Sequence, residues 1–178
     1  MMKKKLQEAF NNHINEELYS AYLYAAMRAY FESLNLQGFA NWMRIQVEEE
    51  LFHARKFVNF LFERSAEVTF KAIKAPEMQW DSPLAAFEAT YKHECHISDC
   101  INKLSTLAVN EDDHASRIFL EWFVTEQVEE EANADAMVQS LRLVKDAPGG
   151  LFLLDREAGQ RVISPTIVAD ITGAPTGG

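Results

Sequence analysis

The stretch from Glu48 to His53 places charged and metal-binding side chains inside an otherwise apolar helical run. Around it, apolar residues recur at alternating steps of three and four, which is typical of a helix face turned to a core. Glu50 and His53 fall on that face, one turn apart. A carboxylate in a core is costly unless it is paired or binds a metal. The spacing therefore predicts buried ligands for a metal ion.

Three other helical stretches carry the same kind of interruption on their apolar faces. The interrupting residues are Glu17 in the first stretch, Glu94 in the third, and Gln127 and Glu130 in the fourth. Glu-x-x-His on a helix is half of the ligand motif of di-iron four-helix bundles. Four carboxylates and one imidazole suit iron or manganese better than copper or a structural zinc. Ion pairs with core lysines or arginines are the alternative, but the apolar faces of the last three stretches contain no such cation.

The composition excludes several functional classes. The chain has 178 residues, 48% of them hydrophobic, which is enough for one domain with a sizeable core. A net charge of −10 argues against binding to nucleic acid, which needs a basic face. No apolar run approaches the ~18 residues of a membrane helix, so no membrane partner is expected. Cys95 and Cys100 diverge around one helix and should not pair, which favours a reduced, cytoplasmic protein.

Four long helices account for most of the chain. They are predicted at about 4–34, 39–66, 83–110 and 113–145. A short turn, with Gly38 able to adopt positive φ, makes the first two helices antiparallel neighbours. The segment 67–81 reaches ~50 Å when extended, whereas the helices are ~40 Å long. It can therefore cross the bundle and place the third helix parallel to the second.

We therefore expect an all-α fold, an up-down-down-up four-helix bundle with a long crossover between its second and third helices. Residues 1–146 form the bundle with its metal site, and 147–160 form a short fifth helix. Leu151 to Leu154 are too apolar for an exposed helix standing alone, so this helix needs a surface to bury against. Residues 161–178 are rich in Gly, Pro, Thr and Ser, and a mobile tail is expected.

Four segments resemble the ligand segments of the ferritins, most closely those of prokaryotic non-haem ferritins. They are Asn15–Ser20, Glu48–His53, Tyr91–Glu94 and Thr125–Glu131. The resemblance covers about residues 5–158. It implies an iron-storage protein that oxidises Fe(II) with O2 or H2O2 at a di-iron ferroxidase centre. It also implies a homo-oligomer, a hollow shell of 24 subunits that holds a ferric mineral.

The resemblance assigns roles to individual residues. Site A would consist of Glu17, Glu50 and His53, and site B of Glu50, Glu94 and Glu130, with Gln127 hydrogen-bonding close by. A third iron site would use Glu49, Glu126 and Glu129 and share Glu130; a solvated acidic stripe is the alternative for these residues. Tyr24 would hydrogen-bond near the di-iron site and supply an electron, with plain core packing as its alternative. His13 is expected at the surface, and His93 and His96 in solvent.

Departures from related families narrow the function further. Bacterioferritins carry a second Glu-x-x-His and a haem-ligating methionine directly after the bridging glutamate. Here the fourth helix has Gln127-x-x-Glu130 and Leu51 follows Glu50, so no haem is expected. A rubrerythrin-type di-iron peroxide scavenger without a storage shell remains the alternative function. The four-cysteine iron domain of rubrerythrins, however, is not matched by two isolated cysteines.

Overall fold

The computed structural model describes residues 2–173, and six helices form within this part of the chain. They are α1 (Lys4–Ser33), α2 (Gln37–Glu63), α3 (Pro83–Asn110), α4 (His114–Val144), α5 (Gly150–Ala158) and α6 (Pro165–Thr172). Within these residues no strand forms, and α1 packs along α2 as α3 packs along α4. The predicted all-α bundle with a short fifth helix is confirmed. None of these helices is long and apolar enough to cross a membrane.

The crossover between α2 and α3 runs along α1. At its start, Asn11 donates to the carbonyl of Glu67 at 2.9 Å and accepts from the backbone N–H of Thr69 at 2.6 Å. At its end, the Trp80 ring lies edge-on to Tyr30, with centroids 5.3 Å apart. Asn11 and Tyr30 lie near opposite ends of α1. The crossover therefore spans the bundle as the sequence predicts, and it carries the chain to the start of α3.

Side-chain caps begin the two helices that follow the crossover. Ser82 accepts a hydrogen bond from the backbone N–H of Ala85 at 3.1 Å, directly before Pro83 at the first helical position. Asp113 accepts from Ser116 N–H at 2.9 Å and is also bound by Arg64 at 2.8 Å. These hydrogen bonds, chiefly that from Arg64, lower the pKa of Asp113 to about 2. Both caps are those expected at helix N-termini.

Gly38 has a different role from the one its position in the sequence suggests. It lies inside α2, and Asn35 adopts the positive φ, 58°, in the turn before it. A Cβ atom on Gly38 would lie 1.5 Å from the carbonyl oxygen of Asp155 in α5. Asp155 also accepts a hydrogen bond from the backbone N–H of Phe39 at 2.9 Å. Gly38 is therefore needed for the close approach of α5 to α2, and the prediction of a positive φ there is corrected.

The bundle core has two apolar clusters with a polar layer between them. One cluster contains Tyr24, Phe31, Phe39 and Phe87, and the other contains Phe10, Phe57, Leu61 and Phe123. On each of the four long helices, the residues of one cluster precede the predicted ligands and those of the other follow them. The ligands therefore meet at one depth in the bundle, where both clusters shield them from water.

The chain after α5 differs from the predicted mobile tail. It continues along α2 and forms α6, in which Ile167 is buried. Arg55 of α2 binds Asp170 at 2.6 Å. α6 begins with Ser164 and Pro165 as α3 begins with Ser82 and Pro83, although Ser164 makes no side-chain cap hydrogen bond among the described residues, and Ile167 gives α6 an apolar contact. The prediction is corrected for 165–172, and residues 174–178 lie outside the described part.

Candidate metal centre

Five ligand-type side chains from four helices converge in the polar layer. They are Glu17 of α1, Glu50 and His53 of α2, Glu94 of α3 and Glu130 of α4, each between 1% and 4% exposed. Every one of them interrupts an apolar face near the middle of its helix. The structure thus brings together all five residues that the sequence singles out.

The distances between these side chains are short enough for a shared metal ion. His53 Nδ1 lies 3.6 Å from Glu50 Oε2 and 3.9 Å from Glu17 Oε2. One ligand atom from each of these three residues lies within 4.8 Å of the other two. His53, Glu126 and Glu130 form a second group that meets the same distance limit. The three residues expected at site A are therefore adjacent, and His53 belongs to both groups. Glu50, Glu94 and Glu130, which are expected at site B, do not form such a group among the described residues.

Three polar side chains orient the remaining carboxylates. The Tyr24 hydroxyl donates to Glu94 Oε1, and Gln127 Nε2 donates to Glu94 Oε2 at 3.3 Å. Gln46 Nε2 donates to Glu130 Oε2 at 3.0 Å. Tyr24 and Gln127 lie beside the site where the sequence expects them. Sequence reasoning missed Gln46, although it is a fully buried polar residue one turn before Glu50 on the same helix.

His13 lies in the site and not at the surface, so that expectation was wrong. It is 3% exposed, and its ring packs against Phe57 with centroids 4.6 Å apart. Its Nε2 atom lies 2.7 Å from Glu17 Oε1. Neither Glu17 oxygen accepts an aligned hydrogen bond from the residues that the structure describes. Glu17 Oε1 thus faces the His13 ring, and Glu17 Oε2, which has no aligned donor among those residues, is available to a cation.

His93 is also more buried than the sequence suggests. Its Nε2 atom lies 2.7 Å from the Ser20 hydroxyl, and its ring lies edge-on to Tyr24. Burial and, to a lesser extent, the neighbouring His96 lower the pKa of His93 to about 4. The side chain is therefore neutral at pH 7. His96 is exposed as expected, 3.3 Å from Glu16.

The acidic residues expected at a third site lie beside the buried cluster. Burial raises the pKa of Glu49, Arg161 acts against this rise, and the negative charges of Glu126 and Glu129 add to it. Glu126 is half-buried and Glu129 is exposed. Glu49, however, is bound by Arg161, whose Nη2 atom lies 2.7 Å from Glu49 Oε2. The expected residues are neighbours, but one of them already has a cationic partner.

The family of this chain is now clear. The family model of the ferritin-like domain matches residues 7–144. This chain belongs to the ferritin family. It is 38% identical over 161 residues to a bacterial non-heme ferritin of Bacteroides fragilis (strain 638R), over 90% of this chain and 100% of that protein. A bacterial non-heme ferritin of Staphylococcus aureus (strain MRSA252) is 36% identical over 161 residues, which cover 90% of this chain and 97% of that protein.

Solved ferritin structures have the same fold as this chain. An open pore ferritin from the hyperthermophilic archaeon Archaeoglobus fulgidus is 47% identical, with a TM-score of 0.90 over 91% of this chain and 100% of that one. A closed form engineered from the ferritin of the same organism is 46% identical, with a TM-score of 0.90 over 92% and 100%. The predicted family is therefore confirmed by sequence and by structure.

The buried glutamates of this ferritin hold protons more tightly than ordinary carboxyl groups. Burial raises the pKa of Glu50 well above its ordinary value, and the charges of Glu94, Glu17 and Glu130 add to the effect. Burial also raises the pKa of Glu94 to about 8 and that of Glu130 to about 7. Burial lowers the pKa of His53, which keeps its imidazole available as a neutral ligand.

Glu17 is the exception among these carboxylates. Burial acts to raise the pKa of Glu17, but His13 and His53 together bring it below its ordinary value. Glu17 is therefore the carboxylate most readily ionised in the metal-free site. Carboxylate oxygens and a neutral imidazole are ligands that suit iron. The residues present thus fit an iron site, and cations that bind there displace protons from the other glutamates.

The metal-free protein should lose stability as the pH rises from about 4.5 to about 8. The pKa of Glu94 is about 8 when folded, against an ordinary value of 4.5, so the folded chain binds more protons in this interval. The stabilising contribution is complete below pH 4.5 and is lost as the pH rises through 8. In EDTA, we expect a melting temperature higher by about 3 °C at pH 5.5 than at pH 8.5.

The variant Glu94→Gln should reduce this dependence, because an amide does not titrate. Glu8→Gln, on the exposed face of α1, is the matched control and should melt as the wild type does. Calorimetry of the three proteins at both pH values measures the effect. A difference that is the same in Glu94→Gln and in the wild type would contradict the protonated state assigned to Glu94.

Proposed function

We propose that this ferritin stores iron, and that it oxidises Fe(II) to Fe(III) at its buried cluster before depositing a ferric mineral inside a 24-subunit shell. One observation carries the proposal: five ligand-type side chains from four helices meet in a layer closed by apolar clusters. In that layer, Glu17 has carboxylate oxygens without aligned donors among the described residues. Membership of the ferritin family supports the same function.

Each ligand has a distinct role in this proposal. Glu17 and His53 bind Fe(II) at site A, and Glu94 and Glu130 bind it at site B. Glu50 lies between the two sites and bridges them. Two Fe(II) ions together supply the two electrons that reduce O2 to H2O2, or H2O2 to water. Because Glu50 is shared by both sites in this proposal, both electrons can be delivered to one oxidant.

The surrounding residues keep these ligands in place. Tyr24 and Gln127 donate to the two oxygens of Glu94, and Gln46 donates to Glu130. Outer hydrogen bonds of this kind fix the orientation of metal ligands. Tyr24 is also placed to give up an electron, because its hydroxyl contacts the carboxylate of site B. Burial and Glu94 raise its pKa well above the ordinary value, so its hydroxyl stays protonated at pH 7.

The shell is proposed from the surface of α5 and from the relatives. Leu151, Phe152 and Leu153 are 38%, 63% and 63% exposed in the single subunit. Such an apolar patch is typical of an interface, and a symmetric ring of copies would cover it. The structural relatives are ferritins, one of them described as an open pore ferritin. We infer a homo-oligomer of 24 copies that works in the cytoplasm, without haem and without a nucleic-acid or membrane partner.

Iron binding tests the oxidation step directly. Because each subunit has two adjacent sites, the fast phase of Fe(II) oxidation in air should saturate at two Fe(II) per subunit. Stopped-flow absorbance of the ferric product measures this phase as the Fe(II) dose is raised. Saturation at one Fe(II), or a rate no faster than that in buffer alone, would contradict a di-iron ferroxidase centre.

A third iron ion should bind more weakly, at Glu49, Glu126 and Glu129 with Glu130 shared. Glu129 is exposed, so this site is wetter and less constrained than the buried cluster. Crystals soaked anaerobically in Fe(II) should show anomalous scattering there at lower occupancy than at Glu17, Glu50 and His53. In Glu129→Gln only this third peak should fall. An empty third position beside full sites A and B would contradict the assignment.

A further inference from the structure

The segment that follows α5 is fixed to α2 at several points; residues 159–172 are called the C-terminal arm. Asn41 Nδ2 donates to the carbonyl of Arg161 at 3.0 Å, and the guanidinium of Arg161 lies over the Trp42 ring, 4.5 Å from its centroid. Further along, Arg55 binds Asp170 at 2.6 Å. These contacts lie on both sides of Glu49 in α2. The arm therefore passes directly over the third-site carboxylate.

Arg161 meets Glu49 at the centre of this contact. Its Nη2 atom lies 2.7 Å from Glu49 Oε2, and the two side chains are only 21% and 15% exposed. Its Nη1 atom donates to the carbonyl of Trp42 at 3.4 Å, which fixes the direction of the guanidinium. An ion pair this well shielded is stronger than one in open solvent. Arg161 therefore supplies the positive charge that the buried surroundings of Glu49 require.

Glu49 is correspondingly absent from the groups whose ligand atoms converge. Among the described residues, those groups are Glu17, Glu50 and His53, and His53, Glu126 and Glu130. The Glu49 carboxylate points at Arg161 instead. The guanidinium occupies Glu49 Oε2 and neutralises the carboxylate, so a metal ion at the third site would compete with it for that oxygen and for that negative charge. The Arg161 guanidinium and a metal ion at the third site would each weaken the interaction of the other with Glu49.

We propose that Arg161 is an internal counter-ion that competes with the third metal ion for Glu49, so that metal binding releases the C-terminal arm and docking of the arm weakens the site. The inference rests on the proposed third site. Coupling between two binding events is reciprocal: if the docked arm lowers metal affinity, bound metal loosens the arm by the same factor. Whether the arm is docked or released therefore depends on whether the third site holds a metal ion.

Calorimetric titration with Zn²⁺ alone tests the first half of the proposal, since Zn²⁺ is not oxidised. The third binding step is identified as the one lost in Glu129→Gln. In Arg161→Gln this step should be about tenfold tighter, within the range usual for coupled sites. Arg161→Lys keeps the charge and should stay near the wild type. Arg156→Gln, on α5 and away from Glu49, is the matched control and should leave the titration unchanged.

Limited proteolysis tests the second half in the full-length protein. Trypsin cleaves after arginine, and the bond between Arg161 and Val162 follows the docked guanidinium. Filling the third site with Zn²⁺ should speed cleavage there several-fold, and Glu49→Gln should do so without metal. Glu129→Gln in the same Zn²⁺ is the control for any effect of the metal on trypsin, and it should show no increase.

Three results would overturn the proposal in different ways. If the third step has equal affinity in the wild type and in Arg161→Gln, the arm is only a structural tether, while the third site stands. If no third step is found in either protein, the third site itself fails and the competition fails with it. Cleavage at Arg161 that ignores both Zn²⁺ and Glu49→Gln would also refute release of the arm.

Discussion

Replacing Glu50 by alanine should abolish fast Fe(II) oxidation and leave the fold intact. Glu50 is 2% exposed, lies 3.6 Å from His53 Nδ1, and has Glu17, Glu94 and Glu130 as charged neighbours. In the proposed di-iron centre Glu50 is the bridging ligand, so without it the two Fe(II) ions would lose their common ligand and their spacing. Misplacement of reacting groups by about 1 Å is enough to cost about 100-fold in rate, so we expect at least that loss.

The stability of the Glu50→Ala protein should not fall. Burial and the charges of Glu94, Glu17 and Glu130 raise the pKa of Glu50, so this carboxyl lowers the stability of the metal-free bundle at neutral pH, and alanine removes that cost. The melting temperature in EDTA should therefore equal or exceed that of the wild type. Glu48→Ala, two residues away on α2, is the control and should oxidise Fe(II) normally. An initial rate in Glu50→Ala equal to that of the wild type, measured by stopped flow at two Fe(II) per subunit, would show that Glu50 is not a ligand needed for oxidation.

Ending the chain before Gly150 should loosen or shrink the assembly. The truncation removes only Leu154 and Ala158 from the buried residues of the two apolar clusters, so the subunit should still fold. The truncated protein lacks the exposed apolar side chains of Leu151, Phe152 and Leu153. We expect a smaller sedimentation coefficient and several-fold less iron retained per particle. Single-turnover oxidation should survive, because the ligands lie on α1 to α4.

A chain that ends at Arg161 is the control for this truncation. It keeps α5 and the contact between Arg161 and Glu49, and it removes only α6 and the residues after it. It should assemble and retain iron as the full chain does. If the shorter chain also forms a stable 24-subunit shell with full iron capacity, α5 does not close the shell.

The candidate ligands were predictable because each one can be recognised from the pattern of apolar residues in its own helix. Glu17, Glu50, Glu94 and Glu130 each interrupt an apolar face, and a charge in that position needs a partner. The crossover was predictable for a similar reason: its length exceeds what a turn requires and matches the length of a helix. Such features depend on spacing within one stretch of sequence, and no knowledge of the packing is needed to find them.

The misplaced residues depend on contacts between distant parts of the chain. His13 is one turn before Glu17, a spacing that fits a surface residue or a buried one; only packing against Phe57 decides it. Arg161 and Glu49 are 112 residues apart, so no local pattern indicates their contact. The start of α6 was different, because Ser164 and Pro165 repeat the signal read correctly at Ser82 and Pro83. The many Gly, Pro, Thr and Ser residues in 161–178 favoured a mobile tail over a helix that begins at this Ser-Pro pair.

Sedimentation velocity after aerobic iron loading tests the central claim most directly. The protein is first loaded with several hundred Fe(II) per 24 subunits. The absorbance of the protein and the absorbance of the ferric product are then followed in the same run. Twenty-four copies of 20.3 kDa make a shell of about 490 kDa. The account predicts that ferric iron sediments with the protein, in a particle at least that heavy. A protein that sediments as a dimer, with the iron precipitated separately, would contradict iron storage and favour the peroxide scavenger.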